Sequence, residues 1–175
     1  MTHNDREDRL TRAVEKYGDM VYRIAYSHTL NGAAADDVYQ DTFLKLVENI
    51  DKLQSEDHLK YWLIRVAINF CKKSYRHSAD AEYLDELEKE DENVTDPLRA
   101  DPVEDLILRK EKIRLVRSAL EELTPEEYRV ILYLFYYEQL RIDDIAKIME
   151  LTSGATKTKL SRARASLGKL LKQRM

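Results

Sequence analysis

The C-terminal end of the chain is rich in side chains that could contact DNA. Residues 154–175 contain seven basic side chains and no acidic one. On a helical wheel of about 100° per residue, Leu160, Ala163 and Leu167 share one side. The opposite side and its margins carry basic and hydroxyl groups: Lys157, Thr158, Lys159, Ser161 and Arg162. Because such a helix has an apolar back for packing and a front that can bond base edges and phosphates, binding in a DNA major groove is the first hypothesis.

Two further helical patterns precede this segment and are placed to support it. One apolar stripe follows the spacing i, i+3, i+4, i+7 and consists of Ile142, Ile145, Ala146 and Met149. Ser153 is predicted to cap the basic helix, and Thr124, Pro125 and Glu127 predict a capping box at the start of an earlier helix. Three helices with short connections form a helix-turn-helix module. A surface helix with solvated basic groups is the alternative, since helix-turn-helix patterns are short and degenerate.

The chain as a whole predicts an all-α protein. It has 175 residues, only four glycines and three prolines, and apolar residues that recur with a helical period. No apolar run approaches the ~20 residues of a transmembrane helix, and the polar N-terminus lacks the pattern of a signal peptide. We therefore expect a cytoplasmic protein without membrane insertion. The single cysteine, Cys71, lies beside an apolar stripe and is expected to be a partly buried structural thiol.

Acidic residues are concentrated in the middle of the chain. Residues 1–76 carry twelve acidic and twelve basic side chains, whereas residues 77–110 carry twelve acidic and four basic ones. This composition predicts a flexible acidic linker over 77–110 between two small helical domains, residues 1–76 and 111–175. The formal net charge is −4. Since phosphate neutralisation supplies much of the affinity for DNA, we expect that a partner holds this chain on DNA.

The N-terminal domain presents two predicted surfaces of different charge. In its second helix, Asp37, Gln40 and Asp41 form an outward acidic strip together with Leu44. A third helix over residues 59–75 turns Trp62 inward, and its outer side or margins carry Tyr61, Arg65, Ile68, Asn69, Lys72 and Lys73. An aromatic ring among cations suits single-stranded nucleic acid, because bases stack on rings while cations follow the backbone. A solvated face with apolar side-chain stems explains the same composition.

Three motifs, in this order, resemble those of the bacterial sigma-70 family. Ala35-Asp36-Asp37-Val38-Tyr39-Gln40-Asp41-Thr42-Phe43 is similar to the family signature A-E-D-L-x-Q-E-x-F. Trp62-Leu63-Ile64-Arg65-Val66-Ala67-Ile68-Asn69 is similar to W-L-x-R-I-A-x-N, and residues 154–164 are similar to G-T-V-K-S-R-L-x-R-A-R. The short chain resembles in particular the extracytoplasmic-function group, which keeps only the region-2 and region-4 domains. It departs from the family at Ala155-Thr156, where T-V is usual, and at Gln139, where glycine commonly stands.

The resemblance implies a sigma factor that binds core RNA polymerase, directs it to promoter DNA and helps to open the duplex. It implies docking on the clamp helices of the polymerase through Asp37, Gln40 and Asp41. It implies reading of a single-stranded minus-ten element by Tyr61, Arg65, Asn69, Lys72 and Lys73. It implies contacts to the minus-thirty-five element from Lys157, Thr158, Lys159, Ser161, Arg162 and Arg164. An anti-sigma factor is a further expected partner. For Asp36 and Asp37, stabilisation of the positive end of their helix is an alternative role.

Other classes of function compete with this one. An operator-binding regulator would recognise duplex DNA without polymerase, usually as a dimer. A helical interaction protein would fit the acidic middle but leaves the acid-free C-terminus unexplained. An enzyme is not expected, because the four histidines lack metal-ligand spacing and we find neither a phosphate-binding loop nor a nucleophile arrangement. We therefore expect no catalytic residues, no metal and no cofactor.

Overall fold

The computed structural model describes residues 2–78 and 103–175, and within these ranges every regular element is helical. The elements are α1 (His3–Thr29), α2 (Gly32–Asn49), a 3-10 turn (Ile50–Lys52), α3 (Glu56–Ser78), α4 (Val103–Glu122), α5 (Glu126–Leu132), a π-helical turn (Tyr133–Tyr137), α6 (Ile142–Met149) and α7 (Ser153–Arg174). The prediction of an all-α fold is confirmed. Of the predicted linker 77–110, residues 79–102 lie outside the described part, and residues 103–110 form the first turns of α4.

Helices α1, α2 and α3 form an N-terminal bundle around a shared apolar core. Val21, Ile24 and Leu63 are fully buried there. The buried stripe of α2 consists of Ala35, Val38, Thr42 and Leu46. Thr42 fits this stripe because its hydroxyl donates to the Val38 carbonyl at 2.7 Å, which satisfies its polar group. The apolar character of Val47 suggests an inward position, but this residue is 42% exposed, because it lies about 100° around the helix from Leu46.

Helices α4 to α7 form the C-terminal domain, in which α7 packs against α4, α5 and α6. Leu134, Ile145 and Leu160 are fully or almost fully buried in its core. The last turn of α7 is tied to α4 because Arg174 Nε donates to Ser118 Oγ at 3.2 Å. This packing fixes the direction in which the first turns of α7, the predicted DNA-contacting helix, leave the domain.

Two predicted helix caps are corrected by the structure. The N-cap of α7 is Thr152, whose hydroxyl accepts from the Ala155 amide at 3.1 Å, and not Ser153. Ser153 Oγ instead donates to Asp143 Oδ1 at 2.5 Å, which joins α7 to α6. The capping box predicted from Thr124 is also absent from this described segment. Helix α5 begins at Glu126 with Pro125 as its N-cap, and proline has no side-chain group that can bond the free amides.

Gln139 lies in the turn between the π-helical turn and α6 with a left-handed backbone, φ 54°. This is the position where the sigma-70 pattern commonly has glycine. Side chains on Cβ disfavour left-handed backbone, whereas glycine adopts it without a steric cost. The left-handed backbone at Gln139 therefore lowers the stability of the fold.

We predict that Gln139→Gly raises the free energy of unfolding by about 0.5–1 kcal/mol, because relief of backbone strain exceeds the added entropy of the unfolded chain. Denaturant unfolding followed by circular dichroism measures this change. Ala165→Gly, at an exposed site within α7, serves as the control and should lower stability by about 1 kcal/mol. A Gln139→Gly protein that is less stable than wild type would contradict the strain argument.

The two domains pack directly against each other in this structure. Helix α1 contacts α5, and α3 contacts α6. Arg129 of α5 donates to the carbonyl oxygens of Ser27 and His28 at the end of α1, the second at 2.9 Å. The Arg23 guanidinium lies 4.8 Å from the centre of the Tyr137 ring. These contacts place the outer side of α3 beside the C-terminal domain.

Candidate nucleic-acid interface

The front of α7 is open to solvent as the wheel predicts. Leu160 and Ala163 are buried, while Lys157, Thr158, Ser161 and Arg162 are exposed. All four exposed residues belong to the first three turns of the helix, on the side away from the core. A short turn through Glu150 and Leu151, in which Glu150 has a left-handed backbone at φ 57°, separates α6 from α7. This is a helix-turn-helix with a free polar front, and it has the side chains needed to reach base edges.

Lys159 and Arg164, which the sequence groups with that front, contact the protein itself. Lys159 Nζ lies 2.8 Å from Glu127 Oε2 of α5. The Arg164 guanidinium lies 5.2 Å from the Phe135 ring centre, and its Nε donates to the Tyr136 hydroxyl at 2.5 Å. Cation–π and charged contacts of this kind hold α7 against α5 and the π-helical turn. In this conformation these two residues orient the helix while the other four face outward.

The outer side of α3 is occupied by acidic groups of the C-terminal domain. Tyr61 donates to Asp144 Oδ2 at 3.4 Å, and Arg65 Nη2 lies 2.8 Å from Glu150 Oε1. Burial and the neighbouring Asp144 carboxylate raise the pKa of the Tyr61 hydroxyl. Directly before Tyr61 in the sequence, Lys60 Nζ lies 3.0 Å from Glu138 Oε2. Two of the five predicted single-strand contacts are therefore already paired within the chain.

Ile68 is the clearest departure from the predicted α3 surface. The wheel places it outside, but it is only 3% exposed. Together with Met149 and Leu151 it lines a cavity of about 170 Å³ at the junction of the two domains. An isoleucine outside the core stripe of an isolated bundle is thus buried by the second domain. Lys72 borders the same cavity.

The remaining α3 candidates are open to solvent. Asn69, Lys72 and Lys73 are exposed, and the Lys73 ammonium lies 5.9 Å from the Phe70 ring centre. Trp62 is half-buried and packs against the core, as predicted. Cys71 is completely buried, more deeply than expected, and desolvation raises the pKa of its thiol to about 12. A buried thiol with a raised pKa is a poor nucleophile and a poor metal ligand.

The acidic strip of α2 is exposed on the N-terminal domain. Asp37, Gln40 and Asp41 are open to solvent, and Leu44 beside them is 65% exposed. The first turn of α2 lies within the described residues and has no acidic side chain. Asp36 and Asp37 are therefore too far along the helix to stabilise its positive N-terminal end. The strip is therefore accessible to a partner.

Arg129 is an interface residue that the sequence analysis does not identify. Its guanidinium is buried, and it also donates to the Leu123 carbonyl of its own domain. His28, whose carbonyl it binds, is buried too, and desolvation lowers the pKa of that imidazole. His28 ends the apolar stripe of Val21, Ile24 and Ala25 in α1, which predicts either a core or a capping histidine. The sequence gives no comparable signal for Arg129, because an arginine between apolar residues of a helix is normally placed at the surface.

Family models match both halves of the chain. The model described as Sigma-70 region 2 matches residues 13–80, and the model described as Sigma-70, region 4 matches residues 113–167. Within the described ranges, none of the helices has the length and apolar character needed to span a bilayer.

Curated proteins and solved structures agree with these matches. The chain is 28% identical over 170 residues to the ECF RNA polymerase sigma factor SigW of Bacillus subtilis, covering 95% of this chain and 90% of that protein. It is 31% identical over 149 residues to the ECF RNA polymerase sigma factor EcfG of Rhodopseudomonas palustris, covering 84% and 77%. Its fold is similar to that of the sigma factor RpoE in complex with the anti-sigma factor NepR from Bartonella quintana, with a TM-score of 0.68, 21% identity and coverage of 96% and 97%.

Proposed function

The chain belongs to the sigma-70 family, in its extracytoplasmic-function group, and on this basis we propose which residues contact each part of the transcription complex. It is an RNA polymerase sigma factor that directs transcription initiation. We assign residues 1–76 to the region-2 domain, 77–110 to the linker and 111–175 to the region-4 domain. The family is not a class of enzymes, and we infer that this chain has no catalytic activity and acts in the cytoplasm beside the polymerase.

We infer that the front of α7 reads the minus-thirty-five element in duplex form. The observation that carries this proposal is the exposure of Lys157, Thr158, Ser161 and Arg162 above the buried Leu160 and Ala163. The planar guanidinium of Arg162 is suited to both acceptors of a guanine edge, whereas Lys157 is suited to phosphate. Lys159 and Arg164 would reach DNA only after leaving Glu127 and Tyr136, so we propose that their main role is to orient α7.

We predict that Arg162→Ala costs about 1–3 kcal/mol of promoter affinity and relaxes the preference at one base pair of the upstream element. Promoter profiling with randomised upstream elements and reconstituted polymerase measures both effects. Lys157→Ala serves as the comparison, because loss of a phosphate contact should weaken all sequences alike. An unchanged base preference in the Arg162→Ala protein would reject its assignment as a base reader.

We further propose that α3 binds the minus-ten element as a single strand through Tyr61, Arg65, Asn69, Lys72 and Lys73. An aromatic ring beside four polar or basic groups gives one stacking surface and a path for the backbone. Removing a base from its stack costs a few kcal/mol, which stacking and phosphate contacts offset.

The charge distribution indicates that a partner holds the chain on DNA, and the family identifies core polymerase as that partner. The net charge of −4 gives the free chain little general affinity for DNA. We propose that Asp37, Gln40 and Asp41 dock on the clamp helices and that the polymerase then holds both domains on the promoter. An anti-sigma factor is a further proposed partner, supported by the fold shared with RpoE, which is bound to NepR in its solved complex.

Run-off transcription with purified core polymerase on a genomic library tests the proposed function directly. Transcripts from discrete start sites are expected only when the chain is present. A gel-shift with and without core polymerase separates this function from that of an operator-binding regulator. Sequence-specific binding of duplex DNA by the chain alone would favour the regulator.

A further inference from the structure

Three carboxylates of the C-terminal domain follow the outer side of α3, and each meets a polar group there. Glu138 pairs with Lys60 at 3.0 Å, Asp144 accepts from Tyr61 at 3.4 Å, and Glu150 pairs with Arg65 at 2.8 Å. Glu138 precedes α6, Asp144 lies in its first turn, and Glu150 is its C-cap. We call Glu138, Asp144 and Glu150 the acidic row.

These partners are the groups that would meet a nucleic-acid backbone. A single strand presents anionic oxygens at regular intervals to cations and hydroxyls beside its stacked bases. The acidic row offers carboxylate oxygens to Tyr61 and Arg65, which share the outer side of α3, and to Lys60 at its margin. Two of those three side chains, Tyr61 and Arg65, belong to the proposed minus-ten surface.

We propose that the acidic row is an internal mimic of the DNA backbone that occupies the Tyr61 and Arg65 part of the minus-ten surface in the free chain, an inference that rests on the proposed function of α3. The contact between the domains is held by more than these three polar contacts. Ile68 is buried at the domain junction, and Arg129 binds the end of α1. DNA must displace the acidic row before Tyr61 and Arg65 can take part in binding.

The order of binding follows from what remains exposed. Asp37, Gln40 and Asp41 are open to solvent while the acidic row is in place. Polymerase can therefore dock on α2 before the domains separate, whereas the minus-ten strand cannot use Tyr61 or Arg65 until they do. Single-strand binding by the free chain is therefore weakened, and polymerase association precedes full promoter reading.

The first test removes charge from the acidic row without changing its shape. In the double variant Asp144→Asn, Glu150→Gln, affinity for a fluorescein-labelled single strand of about 12 nucleotides carrying the non-template minus-ten sequence should rise. We expect a gain of about three- to tenfold, because two solvent-accessible polar contacts are weakened. Glu111→Gln, Glu121→Gln makes the same change in charge at exposed sites of α4 and should leave affinity unchanged.

Equal gains in both double variants would show a general charge effect and overturn the proposal. So would an unchanged affinity in Asp144→Asn, Glu150→Gln. A protein without sigma activity would fail differently, because no variant would give run-off transcripts. If only the proposed covering contact is wrong, transcription would remain intact and the two double variants would bind the single strand with equal affinity.

The second test locks the domains together. The double variant Lys60→Cys, Glu138→Cys, joined by a short bis-maleimide, should still bind core polymerase through α2. It should lose at least about tenfold in promoter opening, because Tyr61 and Arg65 stay covered and the loss of about 1.4 kcal/mol of contact energy corresponds to a factor of ten. Cys71 does not interfere because it is buried and its thiol pKa is raised to about 12. The unlinked double variant is the control. Promoter opening by the linked protein at the rate of the control would overturn the proposal.

Discussion

Arg129→Met should lower the free energy of unfolding by about 3–5 kcal/mol, because three carbonyl oxygens lose a charged donor and each unsatisfied buried group typically costs about 1–3 kcal/mol. The guanidinium donates to the carbonyls of Ser27, His28 and Leu123, and the residue is only 8% exposed. Methionine has similar length but no donor. It therefore leaves three carbonyl oxygens without this partner, two of them at the open end of α1, where helical carbonyls have no intrahelical bond.

Chemical denaturation followed by circular dichroism measures this loss. Arg114→Met is the matched control, since Arg114 is exposed on α4, and its replacement should change stability by less than about 0.5 kcal/mol. Arg129→Lys tests geometry as opposed to charge. A single ammonium cannot reproduce the fork that spans three carbonyls, so most of the loss should remain. A wild-type midpoint in Arg129→Met would show that the domain contact adds no stability.

The Arg129 contact also explains why the domain arrangement is not readable from the sequence. Helical periodicity reports which side of a helix is apolar, and it predicts the buried positions Leu46, Leu63 and Leu160. It does not report which helix of another domain lies opposite. Arg129 and Ile68 are both buried through contact between domains, one as an arginine in an apolar helix and one outside its own core stripe.

Local signals were more reliable for the type of an element than for its first residue. The turn before α7 contains Thr152 and Ser153, and either hydroxyl can cap a helix. The structure uses Thr152 as the cap and directs Ser153 to Asp143. Similarly, Pro125 marks the start of α5, but the helix begins one residue later than a capping box at Thr124 requires.

The candidate site likewise has one part that the sequence predicts and one part that it does not. Exposure of Lys157, Thr158, Ser161 and Arg162 follows from the period of one helix, so the sequence predicts it. The pairing of Tyr61 with Asp144 joins residues 83 positions apart, and nothing in the local pattern of either helix specifies it. The opposite charges of α3 and α6 agree with this contact, but they do not predict it, because the two helices lie in different domains.

Asp37→Lys, Asp41→Lys should reduce affinity for core polymerase by roughly 100-fold or more, since a pair of interfacial charges is reversed and each close pair typically couples by more than about 1.5 kcal/mol. The two carboxylates are one turn apart on α2 and exposed, with Leu44 beside them 65% exposed. Helix content should not change, because neither side chain lies in the buried stripe of Ala35, Val38, Thr42 and Leu46.

Co-purification with tagged core polymerase measures this loss, and run-off transcription should fall in parallel. Glu15→Lys, Asp19→Lys is the matched control, because these carboxylates have the same spacing on exposed positions of α1 and the same change in charge. A general response to added positive charge would appear in both double variants, whereas a docking surface on α2 predicts loss only in the first. Retention of both double variants by the polymerase at wild-type levels would place its docking surface elsewhere on the chain.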